Sequence, residues 1–394
     1  MSNREVVVVS GTRTAIGDYG GALKDLAATR LGAVAIKEAV ARAKVDPASV
    51  GHVVMGSVIH GEARDMYLAR VAALEAGLPV GTPCLTVNRL CGSGLQAIVS
   101  AAQQLLLGDC DVAVAGGAES MSRAAYFLPS GRWGQRMGDA AVVDAMTGAL
   151  HDPFGHGHMG VTAENIAAKY GFTREQQDQF SIESHRKAAN AIEKGYFKDQ
   201  VVPTEIRSKK GVEHLTTDEH VRKDASMADL AKLKTVFKQD GTVTAGNASG
   251  INDAGAAVVL AEAGTAKRMN LKILARLVAY AHAGVEPQLM GLGPIPAVKR
   301  AFEKAGLKPS DMDVIESNEA FAVQAMAVTK DLGLDPARVN PNGGAVALGH
   351  PIGATGAILT VKALYELERT KKRYALVTMC IGGGQGIAAI FERI

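Results

Sequence analysis

Short β-branched runs alternate with amphipathic helical stretches at both ends of this chain, and no other feature constrains its fold as tightly. Residues 6–10, 53–59, 85–88 and 112–115 read as strands, with helices over 29–43, 66–76 and 92–107 between them. From residue 274 the rhythm returns, with strands at 275–281, 314–317, 375–379 and 386–391 and helices at 297–305, 320–332 and 356–368. Such alternation predicts α/β architecture with a mostly parallel sheet covered by helices. At 394 residues the chain has room for two or three domains. The stretch 121–250 breaks the pattern. It is more polar, and its clearest element is a surface helix over 173–193, opened by the capping box Thr173-Arg174-Glu175-Gln176. Over 201–239 the period is lost, which reads as an insertion.

Composition narrows the function classes. The chain is 47% hydrophobic and 21% charged, enough apolar material for a large core. It has 44 Gly and only 5% aromatic residues, which suits tight strand-to-helix turns. The 43 basic and 40 acidic residues nearly cancel, so neither a basic face nor stacking aromatics favours nucleic acid. No apolar run is read as reaching the ~18 residues of a membrane span. The four valines at 6–9 are too few for a signal-peptide core, and a cytoplasmic protein is expected. The four cysteines, Cys84, Cys91, Cys110 and Cys380, show no C-x-x-C spacing and make no disulfide framework.

Two of these cysteines sit at glycine-rich turns. In Asn88-Arg89-Leu90-Cys91-Gly92-Ser93-Gly94 a strand leads through Cys91 into a helix, whose first-turn N–H groups would depress the thiol pKa. In Met379-Cys380-Ile381-Gly382-Gly383-Gly384 a Cys again follows a strand. The echo reads as an internal duplication. Taken singly, each Cys is more simply a buried thiol at a turn. His350, in Gly349-His350-Pro351-Ile352-Gly353, is held at a loop-to-helix junction where an imidazole can serve as a base or merely bond a carbonyl. Asn318, in Ser317-Asn318-Glu319-Ala320-Phe321, could be an N-cap. Together, two thiols, an imidazole and an amide at strand ends form a set suited to carbon–carbon acyl transfer through a thioester. The histidines His151, His156 and His158 read as a pocket-lining loop rather than a metal site.

These motifs, with Asn342-Gly343-Gly344, Gly116-Gly117-Ala118-Glu119-Ser120-Met121-Ser122 and Gly246-Asn247-Ala248-Ser249-Gly250-Ile251-Asn252-Asp253, resemble the thiolases over essentially the whole chain. Within that family the likeness is to the bacterial short-chain enzymes, the acetoacetyl-CoA thiolases and the β-ketothiolases that supply polyhydroxyalkanoate synthesis. The resemblance implies a thiolase-like fold, two duplicated α/β halves in five layers (αβαβα) with an inserted loop domain. The halves would be 1–121 plus 251–272, carrying Cys91, and 273–394, carrying Asn318, His350 and Cys380. The loop domain would be 122–250. A homotetramer is implied, with 125–139 at the tetramer contact.

The implied reaction is a ping-pong condensation of two acetyl-CoA to acetoacetyl-CoA and CoA, reversible as thiolysis of a 3-ketoacyl-CoA. His350 draws the proton from Cys91, S-acetyl-Cys91 forms, and Cys380 removes a proton from the second acetyl group. His350 with a water on Asn318 faces the enolate oxygen, and the N–H groups of Cys91 and Gly382 face the tetrahedral intermediate. No metal or redox cofactor is implied, since CoA thioesters are the substrates. Leu150, His158, Met159, Arg222, Phe237, Ala245, Ser249, Met290, Ala320 and Phe321 match CoA-contacting positions, Arg222 at the adenine end. Asp229 stands where the family often has Ser. Gly155-His156-Gly157 lacks the aromatic residues of some acetyl-specific relatives and suggests a roomier acyl pocket, open to C5 or longer chains. Two rivals share the fold: a β-ketoacyl synthase, which uses one Cys, and a non-catalytic CoA or lipid carrier, which would lack the full set.

Overall fold

The computed structural model describes residues 4–208 and 211–394; residues 1–3, where the reading of the chain's start begins, lie outside the described residues. Among the described residues, nine strands form the main path of the central sheet: β1 (Val6–Thr14), β2 (His52–Gly56), β3 (Cys84–Val87), β4 (Val112–Ser120), β5 (Asn252–Glu262), β6 (Ala275–Gly284), β7 (Val314–Ser317), β8 (Tyr374–Ile381) and β9 (Gln385–Glu392). They hydrogen-bond in the order β7-β8-β9-β6-β1-β5-β4-β2-β3. The principal helices are α1 (Ala28–Ala43), α2 (Leu68–Glu75), α3 (Ser93–Leu107), α4 (Met159–Tyr170), α5 (Arg174–Glu193), α6 (Pro294–Ala305), α7 (Ala322–Asp331) and α8 (Thr355–Thr370).

The sheet is mixed, which corrects the mostly parallel expectation. β2 pairs in parallel with β3 and β4, and β7 with β8, while β4–β5–β1 and β8–β9–β6 are antiparallel. In the first half the reversal comes from β5, which no strand signal announced. Its sequence, Asn-Asp-Ala-Gly-Ala-Ala-Val-Val-Leu-Ala-Glu, opens on residues of low β propensity and follows the polar insertion. Yet its first ten residues are buried, between two neighbouring strands.

Each half repeats one plan. In the first, the strands lie in the order β3-β2-β4-β5-β1; in the second, β7-β8-β9-β6 fill the places of β2, β4, β5 and β1. The place of β3 is held by a single parallel bridge between Ile315 and Val339. The duplication is therefore real, but its register differs from the one the cysteines suggested. Cys91 follows β3, whereas Cys380 lies within β8, the counterpart of β4. A shared Cys-Gly string of a few residues cannot fix register; the strand order does.

Among the described residues, two register pairs, Val7–Arg276 and Val8–Ala275, join β1 to β6 and so the halves along the sheet. Packing supplies the rest. On β1, Val6 and Val8 face the central core, built on α3 and α8, while Val7 and Val9 face the outer core under α1 and α2. Both faces are buried, so the valine run needs no polar alternation. A third core lies under α6 on the second half. Outer helices, sheet half, central helices, sheet half and outer helices make the five layers. The central helices meet at glycine: a Cβ on Gly356 would lie 2.2 Å from the Leu95 nitrogen, and one on Gly94 would lie 2.7 Å from that of Ala357.

Leu90–Leu107, which contains α3, is long and apolar enough to cross a membrane by length and composition, against the sequence expectation. Here it is a core helix. Capping at Thr173 and Gln176 forms as predicted. Over 201–239 the chain makes a hairpin of Thr204–Ser208 with Gly211–Leu215 and a short helix at Met227–Leu230.

Candidate active site

Four segments converge at one end of the central helices. After β3 the chain turns sharply: the Asn88 side chain accepts from the Leu90 N–H at 2.9 Å, and Leu90 adopts φ 45°. That left-handed conformation is strained for a γ-branched residue and marks a functional turn. Ser93 Oγ locks it, accepting from Arg89 N–H at 2.8 Å and donating to the Leu90 carbonyl at 2.7 Å. Cys91 thus sits just before α3, half-buried. The backbone N–H groups of Gly382 and of Cys91 itself point at its sulfur. Burial nonetheless dominates and pushes the thiol up to about 11. The helix N-terminus does not yield a resting thiolate, which corrects the sequence expectation.

His350 follows Gly349 (φ 104°), and its backbone N–H donates to Asn252 Oδ1 at 2.9 Å. Its Nδ1 lies 2.7 Å from Thr355 Oγ1, and that hydroxyl donates to the Pro351 carbonyl at 2.9 Å. With its proton spent, Thr355 can only accept, so Nδ1 carries the hydrogen and Nε2 offers a lone pair. Asn318 Nδ2 meets that lone pair at 3.4 Å. Burial depresses the imidazole to about 4, so it is neutral and basic-faced at neutral pH.

Cys380 is fully buried, and its thiol is pushed far up by burial and then by the neighbouring Cys91. The two thiols are close enough to feel each other's charge. Asn318 is buried too, and its Oδ1 has no hydrogen-bond partner among the described residues. An orphaned acceptor inside a site points to a water or a substrate donor.

These groups border a cavity of ≈ 580 Å³. Cys91, His350, Gly382, Leu150, His158, Met159, Phe237, Ala245, Ser249, Met290, Ala320 and Phe321 all line it. Asn318 and Cys380 lie behind the wall. Arg222 stands outside the lining with its side chain 67% exposed, 3.7 Å from Asp18 at the mouth. Asp229 is turned to solvent, bound to Ser226 and Lys232. Gly155, His156 and Gly157 are not among the residues that line the cavity. His158 stacks on Phe237 at 4.6 Å and accepts from the Gly160 N–H, capping α4. A larger cavity of ≈ 890 Å³ beside α5 and α7 contains none of the candidate residues. Among the described residues no cluster of His, Cys, Asp or Glu is placed to hold a metal ion.

Sequence reading missed the supporting groups. Thr355 fixes the imidazole tautomer. Asn252 holds the His350 main chain. Glu119 accepts from the N–H groups of Val58, Ile59 and Gly353 at 2.8–3.1 Å, tying the His350 loop to the first half. Asn252 and Glu119 lie inside quoted motifs and Thr355 two residues beyond one, but their roles need the fold.

The family model for the thiolase N-terminal domain matches residues 6–264, and that for the C-terminal domain matches 271–393. The chain belongs to the thiolase family. It is 67% identical to "Beta-ketothiolase BktB" of Cupriavidus necator over 392 residues, covering 99% of this chain and 100% of that one. An "Acetyl-CoA acetyltransferase" of Allochromatium vinosum is 48% identical over 394 residues, all of both chains. Among solved thiolase structures, the human mitochondrial 3-ketoacyl-CoA thiolase superposes with a TM-score of 0.98 at 44% identity, and a Bacillus anthracis acetyl-CoA acetyltransferase with 0.98 at 45%, each covering 100% of both chains.

Proposed function

We propose that this thiolase is an acetyl-CoA C-acetyltransferase, joining two acetyl-CoA into acetoacetyl-CoA and CoA and running in reverse as thiolysis. The observation that carries the reading is that Cys91 and His350, with its lone pair fixed at Nε2, line one cavity, with Cys380 buried behind its wall next to Cys91. As acetyl-CoA binds, the Cys91 proton passes to His350 Nε2 and the sulfur attacks the thioester carbonyl. The N–H groups of Cys91 and Gly382 stabilise the oxyanion; losing one such donor costs about 2.7–4 kcal/mol in other enzymes. The carbon–sulfur bond to CoA breaks, and the CoA thiolate leaves with the proton from His350. In the second half Cys380 gives its proton to His350 and, as thiolate, removes one from the methyl group of a second acetyl-CoA. The imidazolium and the water on Asn318 face the enolate oxygen. The carbanion attacks S-acetyl-Cys91, whose sulfur leaves and is reprotonated from His350. The thioester acidifies its own α-protons, so the chemistry calls for no metal.

Cys380→Ser tests the division of labour. It is expected to keep acetylation of Cys91 by acetyl-CoA and to lose condensation and thiolysis by at least a hundredfold, in the usual range for a general base. Full activity would remove Cys380 from the proton transfer.

A broader β-ketothiolase, acting on C5 and longer 3-ketoacyl-CoA, is the second reading. It is favoured by the unbranched, adaptable side chains of Met121, Met159 and Met290 on the cavity wall. Thiolysis rates for C4, C5 and C6 substrates decide between them. We further propose a homotetramer held by the segment 125–139.

A further inference from the structure

The mouth of the cavity holds a polar pair that the reaction does not use. Asp18 is the only carboxylate among the described residues lining the cavity, on a wall otherwise mostly apolar. Its Oδ1 lies 2.6 Å from His220 Nδ1, and its Oδ2 3.7 Å from Arg222. The pair is held from several sides. Asp18 pairs with Asn252 at the start of β5, and Asn252 Nδ2 donates to the Gly17 carbonyl at 3.1 Å. The His220 ring lies so close over Gly250 that a Cβ there would meet Cε1 at 2.6 Å. The Arg222 N–H donates to His185 Nδ1 at 3.1 Å, fixing the same loop. Both side chains keep access to the cavity, at 31% exposure for Asp18 and 18% for His220.

We infer that Asp18 and His220 form the recognition site for the pantetheine arm of the acyl donor and of the accepting thiol. The inference rests on the proposed use of CoA thioesters. The arm carries two amide N–H groups and a hydroxyl, and each loses water on entering an apolar passage. A buried donor left without an acceptor forfeits its desolvation energy. An ionised carboxylate accepts only, so it suits these donors and repels phosphate. The phosphates therefore lie outward, towards exposed Arg222, while the arm passes Asp18 and the acyl end reaches Cys91.

The test is calorimetric titration of the wild type and Asp18→Asn with CoA, 3′-dephospho-CoA and pantetheine. All three are expected to bind about tenfold more weakly to the variant, by the same factor, as for loss of a hydrogen bond to a charged group. His220→Gln, which can still donate to Asp18, is expected to weaken all three by a smaller common factor, and it gives the answer should Asp18→Asn fail to fold. Unchanged pantetheine binding overturns the inference. So does tighter binding of CoA alone, which would make Asp18 a charge acting on phosphate. Slower alkylation of Cys91 by iodoacetamide with unchanged pantetheine binding would assign Asp18 to holding His350 through Asn252, and also overturns it. A wild type that binds all three thiols but transfers no acetyl group contradicts the acetyltransferase reading and leaves the binding site standing.

Discussion

At the residue scale the site stores its protons on neutral groups. Burial raises Cys91 to about 11 and lowers His350 to about 4, so at pH 7 both thiol and imidazole are uncharged on the wall of one cavity. The thiolate fraction of a raised thiol grows with pH until its pKa is passed. Alkylation of Cys91 by iodoacetamide is therefore expected to rise about tenfold per pH unit from pH 7 to 9, as for a thiol with a pKa well above that window. A rate already level over that range would mean a resting ion pair. The direction of proton transfer depends on Thr355. Thr355→Val removes the acceptor for the Nδ1 hydrogen and is expected to slow Cys91 acetylation about 10- to 100-fold, the equivalent of one lost buried hydrogen bond. Thr355→Ser keeps the hydroxyl and should keep most of the rate. Nitrogen-15 chemical shifts of His350 report the tautomer directly, and they should change in Thr355→Val and not in Thr355→Ser. None of this was legible in the motifs. Cys91, His350, Asn318 and Cys380 stand out because their types and glycine flanks are chemically telling. Thr355 looks like any helix-start threonine until the fold turns it towards the ring.

At the scale of elements, glycine sets the site's geometry. Cys91 precedes α3 and His350 precedes α8, so the contact between the two helices fixes how nucleophile and base meet. Gly356→Ala would drive a methyl group into the Leu95 backbone. Backbone cannot yield as a flexible side chain does, and overpacking of this kind costs about 1–3 kcal/mol or more. The urea midpoint should fall and Cys91 acetylation slow together. Gly81→Ala, where a Cβ meets nothing within 4 Å, should leave the midpoint in place. Sequence periodicity found the elements of both halves because their apolar faces are regular. It lost β5, whose alanines and glycines carry little β signal, and with it the antiparallel centre of the sheet. It also placed Cys380 beyond its strand, although Cys380 pairs with Gly386 inside the β8–β9 ladder.

At the scale of the molecule, the inserted region is fastened to the sheet by charge as well as by packing. Arg13 on β1 is fully buried and grips Asp218 through both oxygens at 2.7 and 2.9 Å, with Gln200 at 2.9 Å. This clasp lies two residues before His220, so it also steadies the cavity mouth. The exposed apolar side chains gather elsewhere. Tyr126, Phe127, Leu128, Trp133 and Met137 lie on one segment, Trp133 at 88% and Met137 at 92% exposure. Large exposed apolar patches signal association. Trp133→Asp with Met137→Asp is expected to convert the proposed tetramer to a smaller species in sedimentation velocity; an unchanged species would place the contact elsewhere.

The central claim is that sulfur 91 carries the acyl group. Its most direct measurement is acid quench of the Cys380→Ser variant mixed with acetyl-CoA, followed by peptide mass spectrometry. An acetyl group on the peptide bearing Cys91, formed with release of one CoA and absent in Cys91→Ala, is the predicted result. An acetyl group found on another residue, or CoA released with Cys91 unmodified throughout, would contradict it.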